Sequence, residues 1–236
     1  MEVNNEKTKY MVNSSSNNRQ YGPNVTINGH TFKVFENFVY LGSQVNSENN
    51  IVDEIKRRVT LGYRSYFSLL KILKSKSVSR NLKCTLYKSL IRPVVTYGYE
   101  SWCLTQKEEQ ILLTFENKVL RTIFGPLLDQ NRNLWRRRYN HELRELCREP
   151  DIVRTIKINR LRWLGHVQRM NENRIPKKLM NTKTEGKRSA GRPKARWYDA
   201  ALANLRTIKV TSWQTLAADR PGWRSMLEKA KTLNGL

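Results

Sequence analysis

Between Ile152 and Trp197 the sequence carries Arg162, Arg169, Lys177, Lys178, Arg192, Lys194 and Arg196 within a longer run of cations, and from Arg174 onward only Glu185 opposes them. Further upstream, Arg136, Arg137 and Arg138 stand in a row. Exposed guanidinium and ammonium groups stay protonated near neutral pH. They hold phosphates and carboxylates. Cations at this density point to a polyanion, whether RNA, DNA or a hybrid. The competing reading is a solvated helix surface, which is the meaning of most charge runs.

The residues needed for making or cutting phosphodiesters are not grouped. Two-metal phosphoryl transfer needs clustered carboxylates, because hard oxygen ligands must neutralise each divalent ion. The aspartates at 53, 129, 151, 199 and 219 are dispersed, with no Asp-Asp pair. Glu108-Glu109 opens a helix, where the helix dipole accounts for it. No Gly-rich phosphate loop, zinc-spaced cysteine pair or nucleophile elbow is present. His30, His141 and His166 are far apart, and His141 with Cys147 lacks further zinc ligands. No catalytic residue, metal or cofactor is expected, so the chain is not expected to be an enzyme on its own.

The formal net charge is +24, and it is uneven. Residues 1–120 hold 17 Lys and Arg against 10 Asp and Glu, whereas residues 121–236 hold 27 against 10. The second half therefore makes long-range attraction to an anionic partner. Trp135, Trp163 and Trp197 lie among its arginines, and indoles there either stack on bases or pack in a core. Trp163 is assigned to the core, and Trp197 fits either role. Gly191-Arg192-Pro193 resembles the centre of an AT-hook, a minor-groove element. No apolar run approaches the ~20 residues of a membrane span, and no signal peptide is visible at the polar N-terminus. Cys84, Cys103 and Cys147 are scattered and read as reduced intracellular thiols, in the nucleus or cytoplasm.

These side chains need elements to place them. Ile152–Met170 predicts a helix whose buried face is Ile152, Val153, Ile156, Trp163, Leu164, Val167 and Met170, with Arg160 intruding. Lys157, Arg162, Gln168 and Arg169 fall outside that face. Asn28-Gly29 between β-branched runs predicts a two-residue hairpin turn. Phe38–Val45 reads as a third strand, so that three strands would make one small sheet. Helical spacing begins at Asn50 and continues, with Ser79 starting a helix that Pro93 interrupts. Thr105–Glu108 is a capping box, and Gly125-Pro126 ends the helix it opens. Residues 131–148 read as a helix carrying the three arginines. Thr211–Gln214 reads as a second capping box, and a last helix runs from Trp223 to about Lys231. The fold class expected is mainly α (α+β), with a small N-terminal hairpin or sheet.

Several stretches carry a family resemblance. They are Tyr40-Leu41-Gly42-Ser43, Tyr97-Gly98-Tyr99-Glu100-Ser101-Trp102, Phe115-Glu116 with Leu120-Arg121, Arg162-Trp163-Leu164-Gly165-His166-Val167 with Arg169-Met170, Gly191-Arg192-Pro193 with Arg196-Trp197, and Asp219-Arg220 with Trp223-Arg224. In order and spacing the chain resembles the C-terminal part of the reverse transcriptase of non-LTR retrotransposons that carry an N-terminal endonuclease. The resemblance implies four regions: 1–23, a polar remnant of the palm; 24–49, a hairpin and primer-grip-like strand with Tyr40, Leu41 and Gly42; 50–124, a helical thumb-like domain; and 125–236, a basic helical region. It also implies that Lys7 matches a lysine near the leaving pyrophosphate. The endonuclease, fingers and metal-binding palm motifs are missing, which agrees with the dispersed carboxylates, and a truncated remnant is expected. The expected function is nucleic-acid binding inherited from RNA-directed DNA synthesis, without membrane association. The alternative is a structural or protein-interaction module, or a relic without function. Nothing in the sequence fixes an oligomeric state.

Overall fold

Asn28 and Gly29 both take positive φ, 51° and 78°, and turn the chain between β1 (Asn24–Ile27) and β2 (His30–Lys33). Antiparallel pairing sets Ile27 opposite His30, the geometry of a two-residue turn. The computed structural model describes residues 4, 8–12, 22–48, 50–129, 133–182 and 196–232. Its chain is mainly helical, with small antiparallel hairpins preceding a large helical region. Backbone contacts divide it into Met1–Arg58 and Val59–Leu236.

In the first unit the expected third strand is instead a second hairpin. β3 (Asn37–Tyr40) pairs with β4 (Ser43–Asn46), and the two hairpins form separate sheets. The turn residues are Leu41 and Gly42, at φ 46° and 81°. Leucine disfavours that conformation, so no local turn signal is present. The following helix supplies the reason. α1 (Val52–Ser68) opens with Glu54, which is buried and accepts the Gln44 N–H at 2.9 Å. Glu54 also holds Arg58 Nε at 2.6 Å, and Arg57 and Arg58 both donate to the Gly42 carbonyl. Tertiary hydrogen bonds override the turn propensity.

The second unit is helical. α2 (Leu70–Lys74) is followed by α3 (Arg80–Leu86), where Ser79 accepts the Leu82 N–H as expected for a cap. Before Pro93 the helix widens to a π turn (Tyr87–Ile91), with the Arg92 N–H reaching the Tyr87 carbonyl. Proline has no N–H to give, and the helix resumes only as the short α4 (Arg92–Val95). α5 (Gln106–Phe124) begins at the Thr105–Glu108 box, where the Glu108 carboxylate accepts the Thr105 N–H at 2.6 Å, and ends at Gly125, φ 69°.

Residues 131–148 are not one helix. β5 (Leu127–Asp129) and β6 (Leu134–Arg136) form a hairpin, and α6 covers only Asn140–Cys147. Glu142 explains the break. It accepts the Tyr139 N–H at 2.7 Å and both terminal nitrogens of Arg136, so the helix starts after the arginines. α7 (Ile152–Gln168), α8 (Ile175–Asn181), α9 (Trp197–Thr207), α10 (Trp213–Ala218) and α11 (Arg220–Ala230) follow. The expected box at Thr211–Gln214 does not form a side-chain cap at Ser212. Asp219 instead caps α11 by accepting the Gly222 N–H, so that the helix starts at Arg220, three residues before the expected start at Trp223.

α7 is buried on more than the single face expected. Ile152, Val153 and Ile156 are buried at its start, and it packs against α5. Ile158, Leu161 and Leu164 pack with Ala201, Leu205, Trp213, Trp223 and Leu227 of the last three helices. Gly165 is where the last helix comes close, since a Cβ there would lie 2.2 Å from Trp223 Nε1. The start of α7 is pinned by Glu116, which is 3% exposed and accepts the Ile152 N–H at 2.8 Å and the Tyr87 hydroxyl at 2.6 Å. Burial pushes the Glu116 carboxyl above its ordinary value, while Arg92 and the two hydrogen bonds oppose the rise.

Two outcomes follow. Gly165→Ala forces Trp223 or the α7–α11 spacing to move, and should lower stability by roughly 1–3 kcal/mol in thermal or urea melts. Because Glu116 binds its proton more tightly folded than unfolded, its contribution to stability is greatest at low pH and declines as pH rises from the ordinary carboxylate range through its raised folded value. Urea melts of wild type and Glu116→Gln across that window should therefore differ in pH slope. Parallel slopes would show that Glu116 titrates normally.

Candidate nucleic-acid interface

The exposed strip of α7 carries Arg162, His166 and, at its C-terminal end, Arg169. Arg162 is exposed and donates to Asn159 Oδ1 at 2.5 Å one turn earlier, with no carboxylate partner in that bond. Trp163 sits at the edge of this strip and is 38% exposed, which corrects its assignment to the core. The reason is the wider burial of α7. With Ile158, Leu161 and Leu164 turned to one core and Ile152, Val153 and Ile156 buried near its start, the remaining sector is narrow and Trp163 borders it.

The other sequence candidates divide by what their head groups touch. Arg136 is held by Glu142 at 2.6 Å and lies 4.6 Å over the Tyr139 ring. The pair draws the Glu142 carboxyl down to about 2. Arg138 donates to the Gly125 carbonyl, while Arg137, between them, is exposed. Arg169 donates to the Ala217 carbonyl at 2.6 Å and so caps α10. Lys177 is 4% exposed, and its ammonium group donates to the Gln168 carbonyl at 2.8 Å at the end of α7, with the Glu172 carboxylate 3.6 Å away. Lys178 and Arg196 are exposed. Arg192, Lys194 and the Gly191-Arg192-Pro193 stretch lie outside the described residues, as does Lys7. Tyr40, Leu41 and Gly42 form the tip of the second hairpin, with Leu41 76% exposed.

The structure brings together residues that sequence spacing keeps apart. Gly98, at φ 72°, lets the chain bend from α4 into a single 3-10 turn (Tyr99–Ser101). The carbonyls that follow are gripped by distant side chains. Arg160, buried in α7, donates to the Trp102 carbonyl at 2.6 Å, and Trp197 Nε1 donates to the Glu100 carbonyl at 2.5 Å. Burial draws the Arg160 guanidinium down from its ordinary value, and raises the Tyr99 hydroxyl against the opposing field of Arg162. Gly98, Glu100, Ser101, Trp163 and Trp197 then line one open cleft of about 540 Å³. No sequence rule joins positions 98, 163 and 197. Only the repeated Arg-Trp pair, at 162–163 and 196–197, marks the two α-helical walls.

Two cysteines taken as scattered also come within reach of each other. Cys147, with Lys88 nearby, draws the Cys84 thiol below its ordinary value against the effect of burial. Among the described residues no group of His, Cys, Asp and Glu side chains could hold a metal ion, and no helix is long and apolar enough to cross a membrane.

A putative uncharacterized transposon-derived protein of Caenorhabditis elegans is 26% identical to this chain over 203 residues, covering 84% of the chain and 72% of that protein. The similarity is distant and associates the chain with transposon-derived proteins. No family model matches the chain. No solved structure matches it.

Arg162 and Trp163 are neighbours with different expected phenotypes. Arg162→Ala should leave melting near wild type and flatten the dependence of log affinity for nucleic acid on log salt by roughly one unit. Trp163→Ala, losing a ring already part-exposed, should cost less than the ~3–5 kcal/mol of a core tryptophan and leave the salt slope unchanged. Salt titrations and thermal melts of both variants check this.

Proposed function

We propose that the chain binds nucleic acid through phosphate contacts made by the exposed cations of its second half, as a non-catalytic segment of transposon origin. The observation that supports this most is Arg162, exposed on a helix whose other faces are fixed in the core, in a region with 27 Lys and Arg against 10 acids. A rigid helix presenting such groups meets a phosphate backbone with its own backbone already ordered, so only side-chain freedom is lost. Arg137, Lys178 and Arg196 are exposed and extend the same reading. Arg192 and Lys194 belong to it by sequence.

In its finer form the proposal follows the resemblance to non-LTR reverse transcriptases. Residues 24–49, with Tyr40, Leu41 and Gly42 at the tip of a hairpin, would correspond to the primer-grip region. Residues 50–124 would be the thumb and residues 125–236 the basic C-terminal region. The distant likeness to a transposon-derived protein supports this origin. A second reading, a protein-interaction module, has one specific observation in its favour. Leu134 and Trp135 on β6, and Ile175 and Leu179 on α8, are each at least 64% exposed.

Salt separates the two. Association governed by phosphates should weaken steeply and linearly in log–log form as salt rises, whereas an apolar protein interface changes little. The expected result is a slope of several units for both duplex and single strands. A primed RNA template with Mg²⁺ and nucleotides should not be extended by the purified chain. Metal-dependent extension lost on changing one aspartate would overturn the non-catalytic reading.

A further inference from the structure

The tryptophans of two Arg-Trp pairs, far apart in sequence, line one cleft. Trp163 stands on α7 with its ring 5.3 Å from His166, and Trp197 opens α9 with its indole N–H fixed to the Glu100 carbonyl. Gly98 has no side chain to fill the space between them, and the opening measures about 540 Å³. Each tryptophan is preceded by an exposed arginine, Arg162 or Arg196. We propose that this cleft receives an unpaired nucleobase of a single-stranded nucleic acid, whose flanking phosphates meet Arg162 and Arg196. The inference rests on the phosphate-binding reading above and adds to it a site for the base.

The chemistry favours a base over other occupants. Indole faces stack on any nucleobase, and a cation beside each ring suits the phosphate that accompanies a base along the strand. Glu100 and Ser101 line the same cleft. Acceptor oxygens of these two residues suit the exocyclic amino group of a base. A paired duplex keeps its bases stacked inside and presents none to the cleft. A single strand is therefore preferred to a duplex. The exposed ring of Trp163 and the position of Trp197, indole N–H inward, leave apolar surface for the base.

The test uses the full chain and a labelled single strand of about 12 nucleotides, within the site size of single-strand binders. The comparison strands are an abasic strand of equal length and a duplex, and RNA and DNA forms are run in parallel to distinguish the sugars. At low salt the normal strand should bind at least about fivefold tighter than the abasic one, the least that one base–aromatic stack contributes. It should also quench tryptophan fluorescence where the abasic strand does not. Trp163→Ala should abolish the discrimination while keeping its salt slope and folding, and Trp163→Phe should restore it. Trp197 is left unchanged because it also holds the Glu100 carbonyl. Equal affinity for normal and abasic strands, or discrimination that survives Trp163→Ala, overturns the base cleft and leaves phosphate binding standing. Absence of salt-dependent binding to any strand overturns both. Capture of an apolar peptide in place of the strand would assign the cleft to a protein.

Discussion

A carboxylate removed from water is costly unless every lone pair it presents finds a donor or a cation. Glu116 is partly compensated in the middle of the large unit, with the Tyr87 hydroxyl on one oxygen, the first amide of α7 on the other and the charge of Arg92 nearby, although burial still pushes its carboxyl up. It therefore joins α5, the π turn and α7 at one point. Arg92 reinforces the joint from the other side, donating to the carbonyls of Pro150 and Asp151 just before α7 begins. The direction of α7 is set there. Every outward group on that helix, Arg162 and Trp163 included, inherits its position from the way Glu116 is satisfied.

The cations explain much of how this chain holds together. With 44 Lys and Arg against 20 Asp and Glu, most cannot find a carboxylate. Several are instead spent on backbone carbonyls: Arg160 on Trp102, Arg169 on Ala217, Lys83 on Ser75, and Arg154 on Lys231. Carbonyls at helix ends lack intrahelical partners and welcome such donors. A basic sequence thus supplies two populations that look alike on paper. One stitches loops and helix ends, and the other faces solvent.

That distinction is why the fold was more legible than the site. Asn28-Gly29, Ser79 and Thr105–Glu108 act through local bonds, and each forms as the residues imply. Leu41-Gly42 turns because Glu54, Arg57 and Arg58 hold the turn from outside it, a cause invisible to local propensity. Arg136 to Arg138 suit a helix by composition, but one bond network at Glu142 places them before it. Arg169 and Lys177 carry the same charge as Arg162, and only the approach of α10 and the end of α7 decides their use. The cleft was illegible because it depends on three segments meeting, although both Arg-Trp pairs were visible as motifs.

The double burial of α7 has a consequence for how the large unit comes apart. One stretch of the helix packs against α5, and another with Trp213, Trp223 and Leu227. Neither cluster keeps its packing if the shared helix frays, and the helix has no stable alternative partner. Subglobal opening that releases only one half should therefore be disfavoured, and the amides at the middle of α7 should exchange with solvent mainly through unfolding of the whole unit. The helix that carries the candidate interface should thus be among the slowest-exchanging elements of the unit, in contrast to binding segments drawn from loosely held loops.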